Sequence, residues 1–549
     1  MLISPTLILH NAKIYTVDES RPWAEAVAIA GSHIVAVGDN QQILAARTEK
    51  TRLTDLDNHL VLPGLCDAHI HFHEWSLGQG QLLLNGVGSK AEMLEAIRKW
   101  SSESKPEVWI IGRGWNETLW PNAEMPTRQE LDEVTSSLQP LILWRSDMHC
   151  AVVNSRTLAL AGINRTRVDP DGGLIGRDPD GEPDGRLYEL AINLANPYIP
   201  DPEPAFLERA YIQGQKTLHG LGITAIHSQR MKDQREGPFS LSTLLRLREN
   251  DALKLRVNSN IAAHDMPHLG ALGLRSGYGD DYLRLGHIKL FTDGTLGSKT
   301  AWMLEPLESV ERGDPHPNGI CLTKPEEMAK AIEMAGQLGF PVSIHAIGDR
   351  ANREVLDILE EISRSSSQQG TAHRIEHVQI IDPADLPRLK ELGVTASVQP
   401  IHALDDMEIA DSLLGDRSDR AYRFGALVRS GTQVAFGSDA PVANPNPFLG
   451  FHAALFRQRP QSMQNPPWHS DERLTLEETI FGYTLGAAEA AGWQDTIGSI
   501  TPGKRADLIV LDRDLFSLVD AEKYPQGIAG TRVDETIFDG ETVFKYGGE

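Results

Sequence analysis

The sequence predicts an α/β protein: a (β/α)8 TIM-type barrel with a small β-sandwich formed by both chain termini and a large insertion after barrel strand 1. Three observations predict it. Eight short apolar runs recur through the middle of the chain, most of them separated by helical patterns. Both ends read instead as short strands with alternating polarity. The stretch between the first apolar run and the second is far too long for a plain connection.

At the amino end, TLILHNAKIYTVD and AVAIAGSHIVAVG alternate apolar and polar residues and are broken by Gly, Asp and Asn; at the carboxyl end ADLIVLDRD and ETIFDGETVFKYG do the same. The simplest arrangement joins residues 1–62 and 486–549 into one sandwich beside a barrel over 63–485. The eight runs are VLPGLCDAHIH (61–71), GITAIHS (222–228), KLRVNSNIA (254–262), GHIKLFTDG (286–294), PVSIHAIGD (341–349), HRIEHV (373–378), VTASVQP (394–400) and QVAFGSDAPV (433–442). Runs of this length without alternation suit parallel strands buried on both faces. Between them, 325–339 opens with Pro and acidic residues and ends at Gly, the pattern of a helix. Residues 382–393 read as another, with Asp382 as N-cap.

The insertion, about 75–215, holds Trp75, Trp100, Trp109, Trp115, Trp120 and Trp144. They read as the core of the insert or, alternatively, as walls of an apolar substrate pocket above the barrel. Within it, 165–187 is dense in Asp, Gly, Pro and Arg and reads as a long polar loop.

The net charge is −24, which repels phosphate backbones and anionic lipid and disfavours nucleic acid and membrane as partners. Three cysteines, Cys66, Cys150 and Cys321, make no disulfide framework and suit a reducing compartment. MLISPTLILH lacks the basic n-region of a signal peptide, so a cytoplasmic protein is expected.

The chemistry-bearing residues cluster at the ends of the predicted strands. His69 and His71 stand two apart in DAHIHFHEW, and side chains at i and i+2 of a strand point to one side, so both imidazoles can meet one ion. His345, His377 and Asp439 each end a later strand, where the catalytic groups of such barrels gather. Imidazole with carboxylate is the ligand set of zinc and similar divalent ions; Mn, Fe and Co accept it too. Lys289 lies inside the fourth strand. A buried ammonium is costly without a partner. Two outcomes remove the cost: an ion pair with a carboxylate such as Asp293, or a pKa lowered by burial so that the neutral amine takes up CO2 and forms a carbamate able to bridge two ions.

PGLCDAHIH, IKLFTDGTLGSKTA, HAIGD, RIEHV, GSDAPV and TPGKRADLIVLD resemble the amidohydrolase superfamily, and most closely its family 3, the group that includes N-substituted formamide deformylases. The resemblance covers essentially the whole chain, the long insert included. It implies His69 and His71 on one metal ion, His345 and His377 on a second, an N6-carboxylated Lys289 as the bridge, and Asp439 as both ligand and general base. Two zinc ions, a small amide-type substrate and a homodimer accord with it.

The expected function is then hydrolysis of a C–N amide bond in an N-substituted formamide, an N-acyl compound or a cyclic amide. A divalent ion lowers the pKa of bound water from ~15.7 toward ~7, making hydroxide available at neutral pH. Asp439 takes the proton as hydroxide attacks the carbonyl, then passes it to the leaving amine. His73, His149, Gln399 and His402 are expected at the substrate, whereas His227 is read as packing. Two alternatives stay open: hydrolysis of an ester, lactone or carbamate at the same metals, and a non-catalytic metal-binding regulatory protein. Deaminases of the superfamily carry a glutamate three residues after the fifth-strand histidine; Gly348 stands there and argues against deamination.

Overall fold

The computed structural model describes residues 4–231, 236–308, 316–365, 372–520 and 525–548. Eight parallel strands make the central barrel: β1 (Leu65–Ile70), β2 (Ile223–Ser228), β3 (Arg256–Ala262), β4 (Leu283–Phe291), β5 (Val342–Ala346), β6 (Arg374–His377), β7 (Thr395–Val398) and β8 (Val434–Phe436). Each hydrogen-bonds in parallel to the next along the chain. The seam between β8 and β1 is joined by two backbone bonds: Asp439 N donates to His69 O at 2.6 Å and His71 N to Ala440 O at 2.9 Å. Residues predicted to carry the chemistry therefore also close the ring.

Nearly every barrel-strand residue is buried, and Val, Ile, Leu and Ala fill the space between strands and helices. The lumen is different. Arg374 on β6, fully buried, donates to Ala68 O at 2.6 Å, Ser397 Oγ at 2.7 Å and Glu376 Oε2 at 3.1 Å, and its NH1 lies 2.7 Å from His227 Nδ1. His227 thus belongs to this polar layer beneath the strand ends, its ring held neutral by burial and by the Arg374 charge.

The first apolar run is split. Leu60–Pro63 pairs antiparallel with Leu508–Leu511 in a terminal sheet, and only after Gly64 does the chain enter β1. A Cβ at Gly64 would lie 2.2 Å from Thr224 Oγ1, so the crossing between sheets needs glycine. The terminal sheets have four strands (order 33–38, 26–30, 7–10, 52–55) and six (order 541–545, 533–538, 508–511, 60–63, 13–15, 23–24). Leu9, Ile14, Val27, Ile29, Val61, Leu508 and Ile537 form one core between them. Arg256 of β3 reaches this unit with paired bonds to Asp507, at 2.6 and 2.8 Å.

After β1 come α1 (Phe72–Gly78) and the insert, a mixed six-stranded sheet in the order 173–177, 183–189, 150–153, 141–145, 110–115, 82–83. Then α2 (Pro204–Gly220) leads back to β2. The tryptophans are packing: Trp115, Trp120 and Trp144 are buried in insert cores, Trp100 and Trp109 pack against those cores, and Trp75 packs against the barrel core. Segment 165–187 is not a loop as expected. It forms the edge hairpin 173–177/183–189, turning through Asp178–Gly181, with Ile175 and Leu187 buried in the insert core.

The helix α3 (Pro325–Gln337) follows β4, with Gly339 beyond its end at φ +75°. Helix α4 (Leu386–Glu391) begins later than expected: Asp382 is not its N-cap, and its carboxylate instead accepts from Ala384 N at 2.9 Å and caps the turn before the helix. Helix α5 (His402–Leu414) follows β7. Among the described residues no helix is long and apolar enough to cross a membrane.

Candidate metal centre

His69, His377 and Asp439 present ligand atoms that all lie within 4.8 Å of one another. Asp439 Oδ1 stands 3.2 Å from both His69 Nε2 and His71 Nε2. The His345 ring packs 4.5 Å from that of His377. The Lys289 ammonium is buried and close enough for its charge to act on His71, His345 and His377. All six predicted residues are therefore brought together at the carboxyl end of the barrel.

Four of their buried polar atoms, His69 Nε2, His71 Nδ1, Lys289 Nζ and Asp439 Oδ1, have no hydrogen-bond partner among the described residues. Each orphan of this kind costs about 1–3 kcal/mol, so several in one place call for a ligand. Nitrogen and carboxylate donors converging on one buried point fit a divalent cation. His377 and Asp439 also sit at φ +78° and +60°, a backbone conformation costly for side-chain-bearing residues.

Behind the donors, each imidazole is held by its other nitrogen. Glu376 Oε2 lies 2.6 Å from His69 Nδ1. A carboxylate only accepts, so Nδ1 carries the hydrogen and the Nε2 lone pair faces the centre. Gln399 Oε1 lies 2.8 Å from His377 Nδ1 and fixes that ring in the same way. His345 Nε2 donates to Gly294 O at 3.0 Å, which leaves its Nδ1 as the free donor atom. Asp67 accepts from His69 N at 3.1 Å, Ser438 N at 2.9 Å and Ser438 Oγ at 2.5 Å, tying β1 to the turn that carries Asp439.

Burial pushes the Lys289 amine down to about 8. The Asp293 ion pair is not what relieves it. The Asp293 carboxylate instead accepts from the backbone N–H groups of Trp302, Ile347 and Gly348, and burial raises it to about 8. Burial also opposes ionisation of Asp439, but His69 and His71 outweigh it and hold that carboxyl well below the usual range.

The four residues expected at substrate separate. His149 and His402 line a cavity of about 590 Å3 over the centre, together with His71, His345, His377 and Asp439. His149 Nδ1 is 2.8 Å from Glu189 Oε2, and its ring lies tilted against that of His345, centroids 5.2 Å apart. Gln399 lies behind His377 rather than in the wall. His73 is not in the wall either: its Nδ1 is 2.8 Å from Tyr211 OH, between α1 and α2. The chain turns helical at Phe72, so the i, i+2 alternation that pairs His69 with His71 ends before His73. The six tryptophans of the insert are likewise absent from the wall.

Sequence reasoning missed Glu376, Arg374 and Asp67. A signal for the first two was present. Two opposite charges at i and i+2 of a four-residue buried strand must pair with each other or with a site.

Residues 52–544 match the model of the amidohydrolase family. Protein LONG AFTER FAR-RED 3 of Arabidopsis thaliana is 32% identical over 92% of this chain and 87% of its own. N-substituted formamide deformylase of Arthrobacter pascens is 27% identical over 97% of this chain and 98% of its own. The crystal structure of an uncharacterized metal-dependent hydrolase from Pyrococcus horikoshii superposes with a TM-score of 0.73 at 26% identity, covering 92% of this chain and 97% of that one. With a family match over almost its entire length, on a barrel whose strand ends gather histidine and aspartate, the chain belongs to the amidohydrolase family.

Proposed function

We propose that the protein hydrolyses a C–N amide bond of a small molecule at a centre of two divalent ions, zinc first among them, with Asp439 as general base. The convergence of His69, His71, Lys289, His377 and Asp439 around unpartnered buried donor atoms carries the reading. His69 and His71 would hold one ion, His345 and His377 the other, and Lys289 as its N6-carboxylate would bridge them. The lowered Lys289 pKa supports that last assignment, because CO2 reacts with the neutral amine. When bound, such ions polarise a carbonyl and lower the pKa of water.

The chain supplies the rest. Asp439, held ionised by its imidazole neighbours, accepts a proton from the attacking water and returns it to the amine nitrogen, which is too basic to leave as an anion. Glu376 and Gln399 hold His69 and His377 in one tautomer. His149 and His402 face the cavity as donors for the substrate carbonyl.

N-substituted formamides are the first substrates to try, because the deformylase of Arthrobacter pascens is similar over nearly the whole chain. Deamination is disfavoured sterically: a Cβ at Gly348 would lie 2.0 Å from Trp302 O, so no acidic side chain fits where the deaminases place theirs. The test is turnover by zinc- or manganese-reconstituted protein across N-substituted formamides, N-acyl amino acids and cyclic amides, with esters, lactones and carbamates in parallel. Amine release from an amide, abolished by chelation, is expected. Hydrolysis confined to the oxygen esters would replace the amide assignment, and no turnover of any class would favour a regulatory metal-binding protein.

A further inference from the structure

The cavity wall away from the centre is acidic. Asp147, Asp405, Asp406 and Glu408 line it, against Arg145 and Arg459. Neither arginine is free. Arg145 donates to Glu117 at 2.9 Å, Asp147 at 2.7 Å and Asn116 at 3.0 Å, and Arg459 pairs through both terminal nitrogens with Glu408. Asp406 accepts from two neutral donors, Gln379 Nε2 at 2.9 Å and Tyr422 OH at 2.6 Å. Asp405 makes no hydrogen bond and no ion pair within 4 Å among the described residues, although Arg459 and His402 lie near enough for their charges to favour its ionised form.

One turn earlier on α5 stands His402, 9% exposed, whose Nε2 is buried without a partner. It is within electrostatic reach of both His377 and Asp405 and lines the same cavity as both, so it lies between the metal-binding end of the cavity and the acidic end. Residues three apart on a helix have Cβ atoms about 5–6 Å apart, which sets the carboxylate roughly one short alkyl chain beyond the imidazole. With the proposed ions bound at its base, the cavity would run from positive to negative along that line. A ligand with a carbonyl at one end and a cation at the other matches both ends.

We propose that Asp405, one helical turn beyond the His402 that would meet the substrate carbonyl, forms a subsite for a protonated amine on the substrate, so that the preferred compound is an amide of a diamine or a similar basic molecule. This rests on the amide-hydrolase reading above and narrows its substrate class. Asp405 is exposed at the cavity wall, and although desolvation and the neighbouring Asp406 raise it to about 6, it stays largely ionised at neutral pH and open to a cationic ligand. Asp406, Glu408 and Arg459 face the same space, but each already has its hydrogen-bond partners.

The test uses two probes of equal length, N-formyl-1,4-diaminobutane and N-formylpentylamine, on the metal-reconstituted full chain. The ratio of kcat/KM, cationic over neutral, should be roughly tenfold or more in the native protein and fall to within about twofold of one in Asp405→Asn. Calorimetric Kd values for the same probes read the subsite without turnover. If neither probe is hydrolysed but the cationic one binds at least about tenfold tighter, the subsite stands and the hydrolase reading falls. Equal affinities in the native protein, or a preference that survives Asp405→Asn, would overturn the proposal.

Discussion

Glu376→Gln replaces one oxygen by an amide nitrogen and disturbs the bond that aims His69 at the centre. In the native protein both Glu376 oxygens accept: Oε2 from His69 Nδ1 at 2.6 Å and Arg374 NH2 at 3.1 Å, Oε1 from Ser343 Oγ at 2.5 Å, with Arg374 Nε also 2.6 Å from Oε1. Whichever way the glutamine amide is turned, its NH2 faces a guanidinium N–H, and in one orientation it also faces His69 Nδ1–H. The fully buried Arg374 loses its counter-charge as well. Breaking a buried pair by removing one partner costs ~3–5 kcal/mol, which should appear as a lowered urea midpoint of the metal-free protein. Losing the carboxylate behind a metal-binding imidazole should weaken zinc binding about 10–100-fold, measured by competition with a chromogenic chelator. Adding Arg374→Met should restore much of the stability but not the affinity. Native-like zinc affinity in a folded Glu376→Gln protein would refute the assignment of Glu376 as the residue that orients His69.

Further outcomes are expected. Asp439→Asn should retain much of the bound metal while turnover falls by about 100–10,000-fold, the usual range for a general base; steady-state kinetics beside elemental analysis decides it, and near-normal turnover would end that role. Lys289→Met should lose one metal equivalent and the bicarbonate dependence of reconstitution, both read by metal titration. Gly348→Ala forces a Cβ to 2.0 Å from Trp302 O and should cost ~1–3 kcal/mol by thermal or urea unfolding. His219, far from the centre, has its folded pKa lowered by burial from 6.5 to about 4, while its Nε2 stands 2.7 Å from Lys254 O. The unfolded chain then binds the extra proton between those values. Stability should decline as pH falls through that window, by up to ~3 kcal/mol, and urea unfolding of His219→Gln should show a shallower decline.

The parts of this fold visible in the sequence were those with a local period. The eight apolar runs fall on the eight barrel strands because each is a short, doubly buried segment with its own turn residues. His69 and His71 declared themselves through the two-residue period of a strand, and His73 escaped because that period stopped at Phe72. What was hidden depends on ring closure. Glu376 is 307 residues from the His69 ring it holds, and nothing in either local sequence announces the contact. The hairpin in 165–187 was masked by its polar composition, since few positions beyond Ile175 and Leu187 carry its buried face. The acidic end of the cavity is likewise invisible until α5 is folded over the barrel, because Asp405 in isolation reads as an ordinary surface carboxylate on a helix.

The most direct test of the metal centre is the metal-to-protein ratio of the full chain purified without chelators, read by elemental mass spectrometry. The arrangement of His69, His71, Lys289, His345, His377 and Asp439 predicts about two equivalents of a divalent ion per chain. Protein that holds none, even after incubation with zinc or manganese and bicarbonate, would contradict it.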